Sequence, residues 1–76
     1  MNDKRRSKLK SAIVLLTRAS EIVSSVKDNE EDALDNMPEN LQSSDRYEKM
    51  EDAISALEEA EESIESAIDS VDKASE

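Results

Sequence analysis

The stretch "DNMPENLQSSDRYEKMED", residues 35–52, contains the only proline in a sequence of 76 residues that has no glycine. Proline has a fixed φ angle and no backbone N–H, so Pro38 cannot continue a helix and disfavours helical geometry at Met37. Long helix-favouring segments lie on both sides of this break. The sequence therefore predicts two helices joined by one corner.

The ends of both helices are marked near this corner. Asn36 is a suitable C-terminal cap in the absence of glycine. The residues after the proline can form one helical turn, and we expect Leu41 to fold back over the closed end of the hairpin. Ser44 or Asp45 can cap the second helix, and Asp45 with Glu48 has the spacing of a capping box. Helix 1 is predicted over about residues 3–36, the corner over 37–44 and helix 2 over about 45–75.

Both predicted helices carry a heptad pattern. When Leu9 is placed at position a, the a positions are mostly large and apolar and the d positions are mostly alanine. The a positions are Leu9, Leu16, Val23, Glu30, Met37, Met50, Leu57, Ile64 and Val71, and the d positions are Ala12, Ala19, Val26, Ala33, Ala53, Ala60, Ala67 and Ala74. Folding the helices antiparallel about a point between Leu41 and Gln42 sets large side chains opposite alanines, as complementary packing requires. The predicted fold class is all-α: an antiparallel two-helix hairpin, a coiled coil with an alanine-rich seam.

Several large apolar residues are left outside this predicted seam, at positions e and g. Those expected to form a dimer or partner interface are Ile13, Leu15, Ile22, Ile54 and Ile68. They would be exposed in an isolated hairpin, and an exposed apolar patch usually marks an interface. A chain of this length can also bury only a small apolar surface when it folds alone. We therefore expect a homodimer that forms a four-helix bundle, with docking of a different protein as the alternative.

Charge is divided unevenly along the sequence. Residues 1–27 carry seven basic and two acidic side chains, and residues 28–76 carry three basic and eighteen acidic ones, which gives +5, −15 and a net charge of −10. A candidate acidic partner-binding face on helix 2 consists of Glu51, Glu58, Glu59, Glu62, Glu65 and Asp69. Such rows of carboxylates resemble the phosphates of a duplex and would suit a basic nucleic-acid-binding protein. Solubility is the alternative explanation, since glutamate also favours helices and keeps small bundles soluble.

The start of the sequence is basic and raises a third possibility, binding of RNA or DNA. Its positive residues are Lys4, Arg5, Arg6, Lys8 and Lys10. In an antiparallel hairpin this segment lies beside Glu65, Asp69, Asp72 and Glu76, and we expect weak ion pairs to neutralise it. The acidity of the remaining chain would repel phosphate, which disfavours direct nucleic-acid binding.

No catalytic, cofactor or metal site is predicted. The sequence has no histidine and no cysteine, which removes the commonest bases, nucleophiles and metal ligands. The acidic run "DNEED" at residues 28–32 lacks the alternation and the glycine of a calcium loop. We therefore expect a non-enzymatic protein–protein interaction module, a self-associating acidic helical hairpin, with an acidic inhibitor that mimics nucleic acid as the alternative.

The stretch "DNMPENLQSSDRYEKMEDAISALEEAEESIESAID", residues 35–69, resembles small uncharacterised acidic helical-hairpin proteins of Gram-positive bacteria and their phages. The residues that carry the resemblance are Asn36, Pro38, Glu39, Asn40, Leu41, Gln42, Arg46, Glu48 and Lys49. The resemblance implies a bacterial or phage origin and a hairpin fold, and no particular activity. Because small acidic phage proteins often block host defence, it adds weight to the inhibitor hypothesis by analogy.

The longest apolar run, "AIVLL" at residues 12–16, is too short for a secretory signal or a membrane span. No interaction with a membrane is therefore expected. Together with the implied origin, this predicts a location in the cytoplasm of a bacterial host.

Overall fold

The computed structural model describes all 76 residues, and the chain folds into two long helices. Helix α1 spans Asp3–Asp35, a short 3₁₀ turn spans Glu39–Leu41, and helix α2 spans Asp45–Ala74. The side chain of Asn2 caps α1 by accepting a hydrogen bond of 2.9 Å from the backbone N–H of Arg5. The helix ends lie within one residue of those predicted from the sequence.

Side-chain contacts between distant parts of the chain show how the helices pair. The guanidinium of Arg6 donates to the backbone carbonyl of Glu76 at 3.2 Å, so the start of α1 lies beside the end of α2. Ser24 and Lys27 both bind Glu61, so the middle of α1 lies beside the middle of α2. The resulting rod measures 60 × 14 × 12 Å. The structure thus confirms the predicted helical hairpin, and its contacts show that the helices are antiparallel.

The corner follows the prediction in outline and differs from it in two details. Asn36 is the C-terminal cap of α1, as predicted. Ser44 caps α2, its hydroxyl accepting the backbone N–H of Tyr47 at 3.3 Å. The capping box predicted for Asp45 and Glu48 is wrong, because Asp45 already lies in the first turn of the helix.

The second difference concerns Leu41, which does not cover the closed end of the hairpin. Its side chain is exposed, whereas Met37 is half-buried and lies near the same end. Leu41 contributes through its backbone instead, since its carbonyl accepts the Ser44 hydroxyl at 2.6 Å. This bond holds the end of the short turn against the start of α2.

The faces that meet between the helices differ from the prediction by one heptad position. Burial follows positions a and e more closely than positions a and d. The residues concerned, which we call the seam, are Leu9, Ile13, Leu16, Ser20, Val23, Lys27, Glu30 and Leu34 of α1 and Tyr47, Met50, Ile54, Leu57, Glu61, Ile64, Ile68 and Val71 of α2. At the predicted d positions, Ala12, Ala19, Ala60 and Ala67 are half-buried, whereas Val26, Ala33, Ala53 and Ala74 are exposed. The predicted alanine-rich seam is therefore observed only in part, and position e contributes more of the buried surface than position d.

The size of the side chains at position e explains why each helix turns position e, rather than position d, toward the other helix. Position e holds Ile13, Ile54 and Ile68, whereas position d holds mostly alanine. Turning e toward the other helix removes more apolar surface from water, which stabilises the hairpin by about 25 cal/mol per Å². Ile54 is the most enclosed residue of the chain, with 9% of its surface exposed.

Replacing Ile54 by alanine should test this arrangement of the seam. We expect Ile54→Ala to lower the free energy of unfolding by about 2–5 kcal/mol, because it removes buried apolar volume. The matched control is Val14→Ala on the exposed surface of α1, which should change stability by no more than about 0.5 kcal/mol. Urea unfolding followed by far-UV circular dichroism measures both, and equal effects would contradict the observed seam.

Candidate functional site

A polar cluster of three side chains lies in the middle of the seam. Lys27 Nζ is 2.7 Å from Glu61 Oε1, and the Ser24 hydroxyl donates to Glu61 Oε2 at 2.5 Å. The side chains of Lys27 and Glu61 are 20% and 21% exposed. The cluster occupies both oxygens of the carboxylate, so it suits a structural role in aligning the two helices.

The hydrogen bond between the two charged groups shifts the pKa of each. It raises the pKa of Lys27 above its ordinary value, while burial acts in the opposite direction. It also lowers the pKa of Glu61, and the Ser24 hydroxyl lowers that pKa further. This ion pair was not predicted from the sequence. The available signal was the position of both residues at e, one on each helix and with opposite charge.

The lowered pKa of Glu61 predicts a specific loss of stability in acid. The pair stabilises the hairpin above the ordinary glutamate pKa of 4.5, and this contribution disappears as the pH falls through the lower pKa of the folded state. Glu61→Gln should therefore be less stable than the natural protein at neutral pH, and the difference should shrink in acid. Thermal unfolding over a pH series measures this, with the exposed neighbour substitution Glu62→Gln as control. A difference that does not depend on pH would contradict the assignment.

The remaining heptad positions form two different sides of the hairpin. In an antiparallel pair, equal rotations away from the seam bring residues of both helices to the same side. Positions d and g form one side of the hairpin, and we call its uncharged part, within residues 12–26 of α1 and 53–74 of α2, the apolar side. Beyond its two ends, the same heptad positions are occupied by Arg5, Lys8, Arg46 and Lys49. The apolar side consists of Ala12, Leu15, Ala19, Ile22 and Val26 of α1 and Ala53, Ala56, Ala60, Ser63, Ala67, Ser70 and Ala74 of α2.

The structure separates the five residues predicted to form a dimer or partner interface. Ile54 is buried, and Ile13 and Ile68 are half-buried in the seam, so the expectation that these three are exposed in the hairpin is wrong. Leu15 and Ile22 are 65% and 60% exposed on the apolar side. Of the five predicted interface residues, only Leu15 and Ile22 can contact a partner while the two helices stay packed as they are.

The acidic face predicted on α2 is exposed. Glu51, Glu58, Glu59, Glu62, Glu65 and Asp69 all lie on the surface, and none of them forms an ion pair or a side-chain hydrogen bond. All except Glu59 occupy positions b and f, opposite the apolar side. We call those five residues the acidic side. Glu59 occupies position c, on the outer edge of α2.

The basic start does not form the ion pairs expected with α2. Arg6 pairs with Asp3 at 3.3 Å and donates to the backbone carbonyl of Glu76, whereas the neighbouring lysines form no ion pair. The heptad positions give the reason. Lys8 lies at position g, beyond the end of the apolar side, while Asp69 of α2 lies at position f, on the opposite side.

The rest of the surface has one shallow groove. This groove lies on α1 and is lined by Ile13, Val14, Thr17, Arg18 and Glu21, which include no pair of interacting titratable groups. No group of acidic side chains is arranged to hold a metal ion. Neither helix contains a stretch long and apolar enough to cross a membrane.

Three surfaces of the hairpin are available to another molecule: the apolar side, the acidic side and the basic start. Comparisons with protein-family models, with curated proteins and with solved structures find no match for this chain.

Proposed function

We propose that the protein is a non-enzymatic protein–protein interaction module that self-associates through its apolar side into a four-helix bundle. The observation that carries this proposal is the exposure of Leu15 and Ile22 on the apolar side, which has no charged residue within residues 12–26 of α1 and 53–74 of α2. They lie seven residues apart, at the same heptad position, with Val26 nearby. Branched apolar side chains aligned along one helix face are typical of a surface that packs against another helix.

The accessible surface of the hairpin supports this proposal. It measures 5,776 Å². A compact folded protein of the same mass, 8.5 kDa, exposes about 4,700 Å², so the hairpin exposes an excess of about 1,100 Å². Each partner in a standard interface buries about 800 Å². Association of two hairpins through one long side is therefore sufficient to remove most of this excess.

The thin core of the hairpin supports the same conclusion. Ile54 is the only residue of the chain that is buried. Ordering a chain costs about 1.5 kcal/mol per residue, and small scaffolds commonly offset this cost by oligomerisation. A second hairpin on the apolar side would place Leu15 and Ile22 in a shared core.

Charges introduced on the apolar side should separate the dimer. Leu15→Glu with Ile22→Glu should weaken dimerisation by roughly a factor of 100 or more, because each new carboxylate would be buried without a partner. The matched control is Val14→Glu with Thr17→Glu, which adds the same charge to exposed positions away from the apolar side. Light scattering and sedimentation measure the mass. A monomeric natural protein, or equal masses for both variants, would contradict the proposal.

A second candidate function is favoured by the free carboxylates of the acidic side. In this proposal the protein is an acidic inhibitor that occupies the basic cleft of a nucleic-acid-binding protein. Carboxylates on one face of a helix recur about every 5.4 Å, compared with one phosphate per 3.4 Å along each strand of a duplex. Dimerisation through the apolar side would leave the acidic side of each hairpin exposed and so double the rows of charge.

Neutralising the acidic face without changing its shape should distinguish this candidate from simple solubility. The variant Glu58→Gln, Glu59→Gln, Glu62→Gln and Glu65→Gln should lose binding to a nucleic-acid-binding partner captured from bacterial lysate, and high salt should also abolish that binding. A control variant removes four charges elsewhere, by Asp28→Asn, Asp32→Asn, Asp35→Asn and Glu39→Gln, and should retain binding.

Displacement by duplex DNA completes this test. A partner that binds through its nucleic-acid cleft should be released from the natural protein by added duplex. Capture that survives duplex, or that is equal for both variants, would contradict the inhibitor proposal and leave solubility as the role of the acidic side.

A further inference from the structure

We propose that in the dimer α1 of one protomer packs on α2 of its partner, so that the large residues of the apolar side of α1 are seated on the small residues of the partner's α2. All neighbouring helices of the bundle are then antiparallel. This inference rests on the self-association proposed above and specifies which surfaces meet.

Two twofold arrangements bring the apolar sides of two hairpins together. With the axis parallel to the helices, α1 packs on α2 of the partner at both contacts. With the axis perpendicular to the helices, α1 packs on α1 and α2 packs on α2. The two arrangements use the same side of the hairpin and differ only in which helices become neighbours.

Side-chain size favours the parallel axis. The apolar side has large apolar residues only on α1, namely Leu15, Ile22 and Val26, whereas residues 53–74 of α2 contribute only alanine and serine; Arg46 and Lys49 lie beyond it, at the end near the corner. Packing α1 on α2 therefore places every large side chain against small ones. In the other arrangement, the contact between the two α1 helices would crowd the large residues together. The contact between the two α2 helices would leave only small residues facing each other.

The register within the hairpin also matches. Ser24 bonds to Glu61, so residues 24 and 61 lie at about the same level along the rod. A twofold axis parallel to the helices preserves these levels in the partner. Ile22 is then level with Ser63 of α2 in the second copy, and Leu15 is level with Ser70. Each large residue thus meets a small residue that is flanked by alanines on the same side.

Charge favours the same arrangement. Within Asp3–Asp35, α1 carries seven basic and seven acidic side chains, a balance of zero. Within Asp45–Ala74, α2 carries three basic and eleven acidic ones, a balance of −8. Packing α2 on α2 would bring two helices of charge −8 together, and like charges repel. Packing α1 on α2 avoids that contact and brings the basic start near the acidic end of the partner's helix.

Disulfide trapping tests the pairing directly, because the chain has no cysteine of its own. In the variant Ile22→Cys with Ser63→Cys, the two cysteines of one protomer project from the outer flanks of different helices, too far apart for a disulfide. Between protomers they are neighbours. We expect mild oxidation to give a covalent dimer at least ten times faster than in the controls.

Two single-cysteine variants serve as controls. Ala19→Cys lies at the middle of α1 on the apolar side and forms a covalent dimer only if α1 packs on α1. Val14→Cys lies at a position that is 66% exposed and away from the apolar side, so it reports random collision. Rapid crosslinking of Ala19→Cys, or crosslinking of the double variant no faster than that of Val14→Cys, would overturn the pairing.

Light scattering on the same samples before oxidation separates the two proposals. A dimer that crosslinks through Ile22→Cys and Ser63→Cys supports both. A dimer that fails to do so overturns the pairing alone, and self-association stands. A natural protein that is monomeric throughout overturns the self-association on which the pairing rests.

Discussion

The packing of isoleucines at heptad position e between the helices determines the other surfaces of this protein. With Ile13, Ile54 and Ile68 directed toward the other helix, the alanines at d turn to one side of the hairpin and most acidic residues of α2 turn to the opposite side. A seam built from a and d would instead bury the alanines and leave the isoleucines in water. The larger apolar area removed from water at e is the physical reason for the observed setting.

The pair of Lys27 and Glu61 occupies the seam without disrupting it. Removing charges from water is costly, and the cost is offset only when their hydrogen-bonding groups are satisfied. Glu61 meets this condition, since Lys27 binds one carboxylate oxygen and Ser24 binds the other. Because the cluster forms only when these residues are level, it favours one alignment of two helices whose apolar repeats alone would tolerate others.

Self-association through the apolar side and binding of a basic partner through the acidic side are compatible in one molecule, because the two sides are opposite each other. Self-association would cover Leu15 and Ile22 and leave the acidic side untouched. The bundle would then be a rod with rows of carboxylates on two opposite surfaces, of the length of the 60 Å hairpin. The apolar side would serve assembly, and the acidic side would be free for a basic partner.

The sequence by itself determined the two helices and their ends, because proline, capping residues and apolar periodicity act over a few neighbouring residues. The antiparallel arrangement was also predicted, and the short corner between two helices of similar length allows them to pack only in that way. The sequence also identified Leu15, Ile22 and the carboxylates of α2 as surface. Only the tertiary structure decided the rotation of each helix, which placed Ile54 inside and Val26 outside. Positions d and e are adjacent in sequence and both apolar here, so the choice between them depends on the combined packing of both helices. The pairing of Lys27 with Glu61 follows from that same choice.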